Sequence, residues 1–249
     1  MLSGSQQRNG RLHLMSSIKV KICGLKREKD VQLCMKLGVD ILGFVTEYPM
    51  PVPWNLSRTE ALLLLNIVQS PHGSCIVTGG APEKVIELAA NLRPSMVQLH
   101  FKETLEETII ISEALQKLNI DVIKTVPPVM EERISQFGTA DIETIIEELC
   151  RTSVYGLLAD SRVPSNASAN GTGLDLKLCS QIINLSSKPV IIAGGINADN
   201  VCNILMQTSA DFIDVMTGVE NSPGEKDAES LSRLLASIQP LKNQRPHHF

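Results

Sequence analysis

Ile18-Lys19-Val20-Lys21-Ile22-Cys23-Gly24 is the first strongly apolar run of the chain. It is too short for a core helix and it stops at a glycine, so it reads as a buried strand that delivers one thiol to a loop mouth. A helix-patterned stretch follows at residues 28–37, and Lys36-Leu37-Gly38 has the form of a helix end with its glycine stop. Val154-Tyr155-Gly156-Leu157-Leu158-Ala159-Asp160 ends the same way, in a carboxylate just before a glycine-containing loop. A thiol and a carboxylate at the ends of two strands form a plausible base and acid facing one pocket.

Working outward, the strand-then-helix unit repeats. Apolar, β-branched runs lie at residues 18–22, 41–45, 74–78, 95–99, 120–125, 154–159, 189–193 and 211–216. Helical patterns lie between them at 28–37, 57–69, 82–91, 104–118, 174–184, 198–207 and 228–238. Ala81-Pro82-Glu83 puts proline and an acid in a first helical turn, and Asn197 or Asp199 is placed to cap the seventh helix. The longer region 130–151 divides at Gly138 into a short element and a helix over 142–151. Eight such units predict a single-domain (β/α)8 TIM barrel over residues 17–241. Strand count does not show closure, so a doubly wound sheet is the rival. Residues 1–16 and 242–249 fit no unit and are predicted to be a mobile extension and tail.

Bulk composition narrows the function. The 249 residues are 43% hydrophobic and 20% charged with a net charge of −4, ordinary for a soluble domain and without the basic bias of a nucleic-acid or acidic-membrane partner. Aromatic residues are 3%, too few for a base-stacking platform. The six cysteines are scattered with no Cys-x-x-Cys pair and no clustered histidines, so no metal site is expected, and His247 and His248 belong to the tail. Cysteines within apolar patterns, such as Cys75 and Cys202, read as small hydrophobes, and reduced thiols imply the cytoplasm. The polar start lacks the apolar run of a signal peptide, and no segment has the length of a membrane span.

Glycines late in the chain point to a phosphorylated small molecule. Gly194 and Gly195 follow the seventh strand, Thr217 and Gly218 the eighth, and Gly171 and Gly173 precede a helix. Glycine lets backbone N–H groups approach an anion, and a helix N-terminus favours negative charge. Tight strand-to-helix turns are the plainer alternative. Gln98 and His100 end the fourth strand, where the histidine is either a satisfied rim residue or part of the chemistry.

These stretches, taken in order, resemble the phosphoribosylanthranilate isomerase family. The resemblance is carried by Lys21-Ile22-Cys23-Gly24, Gly43-Phe44-Val45, Val97-Gln98-Leu99-His100, Gly171-Thr172-Gly173, Pro189-Val190-Ile191-Ile192-Ala193-Gly194-Gly195-Ile196 with Asn200-Val201, and Asp214-Val215-Met216-Thr217-Gly218-Val219-Glu220 with Pro223-Gly224-Glu225-Lys226-Asp227. It implies a closed barrel and an Amadori rearrangement of N-(5-phosphoribosyl)anthranilate in tryptophan biosynthesis, with no cofactor. By position Cys23 matches the family's general base and Asp160 its general acid. Asp214 matches a carboxylate that faces the substrate, with a structural carboxylate holding a loop as the alternative.

The chain departs from the family pattern at four places. The arginine expected after the second strand is absent, and the loop reads Tyr48-Pro49-Met50-Pro51-Val52-Pro53-Trp54-Asn55-Leu56-Ser57-Arg58. Arg162, beside Asp160, is the candidate partner for the anthranilate carboxylate, with Arg58 as the other. Phe101 replaces the glycine after the fourth-strand histidine, Asn170 replaces the first glycine of Gly-Gly-Thr-Gly, and Met216-Thr217 replace Ser-Ser. The departures leave two other readings open: a related isomerase of another phosphorylated aminosugar, and a silent barrel that binds a phosphometabolite. Oligomeric state is not legible in the sequence.

Overall fold

A computed structural model describes residues 18–160 and 174–244. Eight parallel strands alternate with helices: β1 (Lys19–Ile22), β2 (Ile41–Val45), β3 (Gly73–Thr78), β4 (Met96–Leu99), β5 (Asp121–Val126), β6 (Gly156–Asp160), β7 (Val190–Ala193) and β8 (Phe212–Val215). The helices are α1 (Glu28–Lys36), α2 (Arg58–Leu65), α3 (Pro82–Leu92), α4 (Leu105–Gln116), α5 (Met130–Phe137), α6 (Ile142–Arg151), α7 (Leu176–Leu185), α8 (Val201–Thr208) and α9 (Ala228–Gln244). Each strand pairs with its sequence neighbours and β1 also pairs with β8, Lys21 beside Asp214, so the sheet closes into a barrel. That closure rules out the doubly wound rival.

The two-residue period of each strand sorts its side chains between two cores. Val20 and Ile22 of β1 point outward and are completely buried in the main core between barrel and helices. The helices answer with apolar stripes; α6 buries Ile142, Ile145, Ile146 and Leu149, at the i, i+3, i+4, i+7 spacing of one face. Inside the barrel, Ile41, Cys75, Ile123, Leu158, Ile191 and Phe212 form a second packed cluster. Above that cluster the inward positions turn polar.

Gly138 does end α5 in a left-handed conformation, with α6 starting four residues on. Four other elements differ from the sequence pattern, among them α9, which runs on to Gln244, past the predicted 238 and into the predicted tail 242–249. Helix α2 has a capping box between Ser57 and Glu60 but stops at Leu65, before the predicted 69. Helix α8 starts at Val201 with Asn200 as its cap residue, not Asn197 or Asp199. The Asn197 side chain instead accepts from the backbone N–H groups of Asp199 (2.9 Å) and Asn200 (3.2 Å), which turns the chain before the helix can begin. After β8 comes a single 3-10 turn (Thr217–Val219), then the antiparallel strands β9 (Glu220–Ser222) and β10 (Glu225–Lys226) before α9. None of the described helices is long and apolar enough to cross a membrane.

Candidate active site

Parallel strands bring all their C-terminal ends to one mouth, and inward positions there collect the groups singled out from sequence. Cys23 follows β1, Asp160 closes β6, Asp214 lies in β8 and Gln98 in β4, and all are buried. His100, just past β4, links three strands. Its Nδ1 stands 2.8 Å from Thr125 Oγ1 and its Nε2 3.7 Å from Asp160 Oδ2, while Gln98 Nε2 is 3.4 Å from the same Nδ1. Tyr48 Oη donates to the His100 carbonyl at 2.7 Å, which ties the β2 loop to the β4 end.

The thiol's surroundings are mixed. Burial pushes the Cys23 thiol up from its ordinary value, Lys21 and Lys226 act in the opposite sense, and Asp214 reinforces the rise. Lys21 is completely buried and its Nζ lies 2.6 Å from Asp214 Oδ2. Burial pushes that ammonium down, but Asp214, joined by Cys23 and Cys75 once these are ionised, outweighs it and the net direction is up. Asp214 Oδ1 and Gln98 Oε1 are buried without a hydrogen-bond partner among the described residues, so both present acceptors inside the barrel mouth.

An apolar cover surrounds Cys23. Val45, Tyr48, Trp54 and Val77 cluster with it, and Met50, Val52, Phe101 and Met216 pack against the group. Trp54 Nε1 donates to Glu220 at 3.0 Å, and Glu220 is in turn held by Lys226 Nζ at 2.6 Å. Phe101 meets Tyr48 edge to face at 5.9 Å, so the residue that replaces the family glycine becomes part of this cover. Sequence pattern did not single out Trp54, Tyr48, Glu220 or Lys226 as site residues, and it left the direction of Lys21 open. The alternation Lys19, Lys21, Cys23 against Val20, Ile22 was the available signal, since it puts both lysines on the face of the thiol.

The glycine loops fall partly within reach. Gly194 and Gly195 follow β7 with φ of 112° and 63°. Gly218 leaves no room for a side chain, because a Cβ there would stand 1.9 Å from the Ile196 carbonyl oxygen. The β7 and β8 loops therefore touch backbone to backbone, with Thr217 exposed beside them. Arg162, Gly171 and Gly173 lie outside the described residues. Arg58 is already engaged: its guanidinium pairs with Glu47 at 3.0 Å and Glu87 at 2.7 Å.

Comparison with known proteins gives the family. The sequence pattern of the family described as N-(5'phosphoribosyl)anthranilate (PRA) isomerase matches residues 20–237. The N-(5'-phosphoribosyl)anthranilate isomerase of Legionella pneumophila is 31% identical over 90% of this chain and 98% of its own. That of Methanosarcina acetivorans is 26% identical over 89% and 93%. Among solved structures, the phosphoribosyl anthranilate isomerase of Thermotoga maritima superposes with a TM-score of 0.73 at 24% identity, covering 90% of this chain and 99% of its own. The Thermus thermophilus enzyme gives a TM-score of 0.69 at 26% identity, covering 90% and 100%. With the match running from the second residue of β1 into α9, this barrel belongs to the N-(5'-phosphoribosyl)anthranilate isomerase family.

Proposed function

We infer that the protein catalyses the isomerisation of N-(5-phosphoribosyl)anthranilate to 1-(2-carboxyphenylamino)-1-deoxyribulose 5-phosphate in tryptophan biosynthesis. The single observation that carries this is family membership across the whole barrel, residues 20–237. A solved family member was crystallised with reduced 1-(o-carboxyphenylamino)-1-deoxyribulose 5-phosphate, a molecule of the shape expected of the product.

The roles follow from chemistry and placement. Asp160, as general acid, gives a proton to the ribose ring oxygen, and the ring C1–O bond breaks to leave a Schiff base. Cys23, as thiolate, then removes the proton from C2, and the electron pair moves to give an enolamine that relaxes to the ketone. Both groups sit inward at the same end of the barrel, on different strands, which is the placement a divided acid–base pair requires. The abutting loops with Gly194, Gly195, Thr217 and Gly218 are the seat assigned to the phosphate, together with Gly171 and Gly173. In barrels the loops after the last two strands hold phosphate through backbone N–H groups. Gln98, His100 and Asp214 are assigned to the substrate's polar groups, supported by the unpartnered Gln98 Oε1 and Asp214 Oδ1. Arg162 keeps the role of partner to the anthranilate carboxylate.

One observation favours a second reading, the same chemistry on another phosphorylated aminosugar: Arg58, a candidate for the place of the absent family arginine, is engaged by Glu47 and Glu87. Expression in a tryptophan auxotroph that lacks this isomerase separates the two. Growth without tryptophan is the expected result. Failure to grow, with soluble protein present in the cells, moves the weight to the second reading.

A further inference from the structure

Lys21 and Asp214 are a costly pair to build into a barrel. Their side chains are 0% and 7% exposed, and Nζ lies 2.6 Å from Oδ2. Desolvating two charges consumes most of what their attraction returns, so an apolar pair of the same volume serves stability as well or better. Asp214 Oδ1 adds to the cost, being buried with no partner among the described residues. The pair therefore calls for a reason other than stability.

What it faces supplies one. Lys21 and Cys23 share the inward face of β1, two residues apart, and the β1–β8 register sets Asp214 beside Lys21. On β2 the neighbour is Gly43, where a Cβ would stand 3.0 Å from Cys23 Sγ, so that side brings no charge. From β3 comes Cys75, whose thiol is pushed up to about 12 by burial and carries no charge at neutral pH. Trp54 and Met216 pack in the same apolar cluster as Cys23. Among the described residues, the charged groups that act on Cys23 are Lys21, Asp214 and Lys226, with Lys21 the foremost of those that favour the thiolate.

We propose that the buried Lys21–Asp214 pair is the counter-charge of the Cys23 base: Lys21 stabilises the thiolate, and Asp214 fixes the ammonium in place against it. Lys21 is then a positioning residue, acting on the substrate only through the sulfur. The thiol gives its proton to water at the open barrel mouth, and the thiolate takes up the C2 proton in turn, so no further reactant enters. This rests on the reading of Cys23 as the base.

The test measures the thiol without turnover. Alkylation by iodoacetamide is followed over a pH series in the absence of substrate, and peptide mass spectrometry resolves Cys23 from the other five cysteines. Alkylation rate tracks the thiolate fraction. Lys21→Met leaves the Asp214 anion unopposed and is expected to slow Cys23 alkylation tenfold or more at about pH 8, one tenfold step for each pKa unit. The Lys21→Met/Asp214→Asn double variant removes both charges, keeps the shapes and covers the case in which the single variant does not fold. It is expected to fall between the single variant and wild type. A pair kept for packing alone predicts a neutral double variant that alkylates at the wild-type rate, and that result overturns the proposal. Parallel turnover of Cys23→Ala separates the two layers. Near-wild-type turnover overturns the base reading and this proposal with it. Lost turnover beside equal alkylation rates in wild type, single and double variants overturns the pair's role alone.

Discussion

Asp160 and Cys23 are both within 6% of full burial yet sit at the open end of the barrel, which is where a proton-transferring group has to be both shielded and reachable. Replacing either should remove chemistry and spare the fold, since neither belongs to the two packed cores. Cys23→Ala and Asp160→Asn are each expected to lower kcat by roughly two orders of magnitude or more, the range for general acid–base groups. Steady-state turnover beside the thermal melting curve checks this, and near-wild-type turnover in either variant removes that residue from the mechanism. The remaining thiols separate by environment. Burial pushes Cys34, Cys75 and Cys179 up to about 12. Burial also raises Cys150, but hydrogen bonds from Ser187 and Ser186 outweigh it and the net direction is down. Cys150 should therefore be alkylated faster than those three near neutral pH, because a lower pKa leaves more of the thiol as thiolate. Timed labelling of the folded protein with peptide mapping reads that order directly. Equal rates for all four would contradict that order.

At the scale of elements, the contact between the β7 and β8 loops is tightly constrained. A Cβ on Gly218 would meet the Ile196 carbonyl oxygen at 1.9 Å, so Gly218→Ala must push the two loops apart. The expected outcome is a raised KM for the phosphorylated substrate and weaker competition by inorganic phosphate, with less change in kcat. An unchanged KM would detach these loops from the phosphate. Helix caps give a pH dependence of their own. Glu60, Asp141 and Asp227 are held below the usual carboxylate range by hydrogen bonds from Ser57, Thr144 and Ser230. A carboxyl lowered in the folded state contributes stability above its unfolded pKa and loses it as pH falls through the folded value. Melting temperature should thus fall between about pH 5 and pH 3, and less steeply in Asp227→Asn. These elements also show what sequence can and cannot carry. Strand positions were legible because each apolar run is short and ends at a turn signal, and with them the strand-end placement of Cys23 and Asp160. The start of α8 was not, because Asn197 spends its side chain on a turn. Nor was the cover formed by Trp54 and Glu220, 166 residues apart, since no local pattern records which loops meet over a barrel mouth.

For the molecule as a whole, closure of β8 on β1 makes one mouth from both ends of the chain. The Cys23 amide donates to the Val215 carbonyl at 2.9 Å, and Trp54 reaches over β1 to Glu220 beyond β8. Trp54 is the only tryptophan of the sequence and is 5% exposed, so its emission reports this mouth alone. A product analogue bearing the carboxyphenylamino group should change that emission in a saturable way, while an unaltered spectrum at saturation would place the ligand away from the β1–β2 side. The central claim is that this barrel converts N-(5'-phosphoribosyl)anthranilate with a thiol and a carboxylate at its mouth. Freshly generated substrate mixed with purified protein, followed by loss of its fluorescence, tests this most directly when wild type and Cys23→Ala are run side by side. The account predicts rapid loss with wild type and loss at least about a hundredfold slower with Cys23→Ala. Substrate that persists at the same rate with and without the wild-type protein would contradict it.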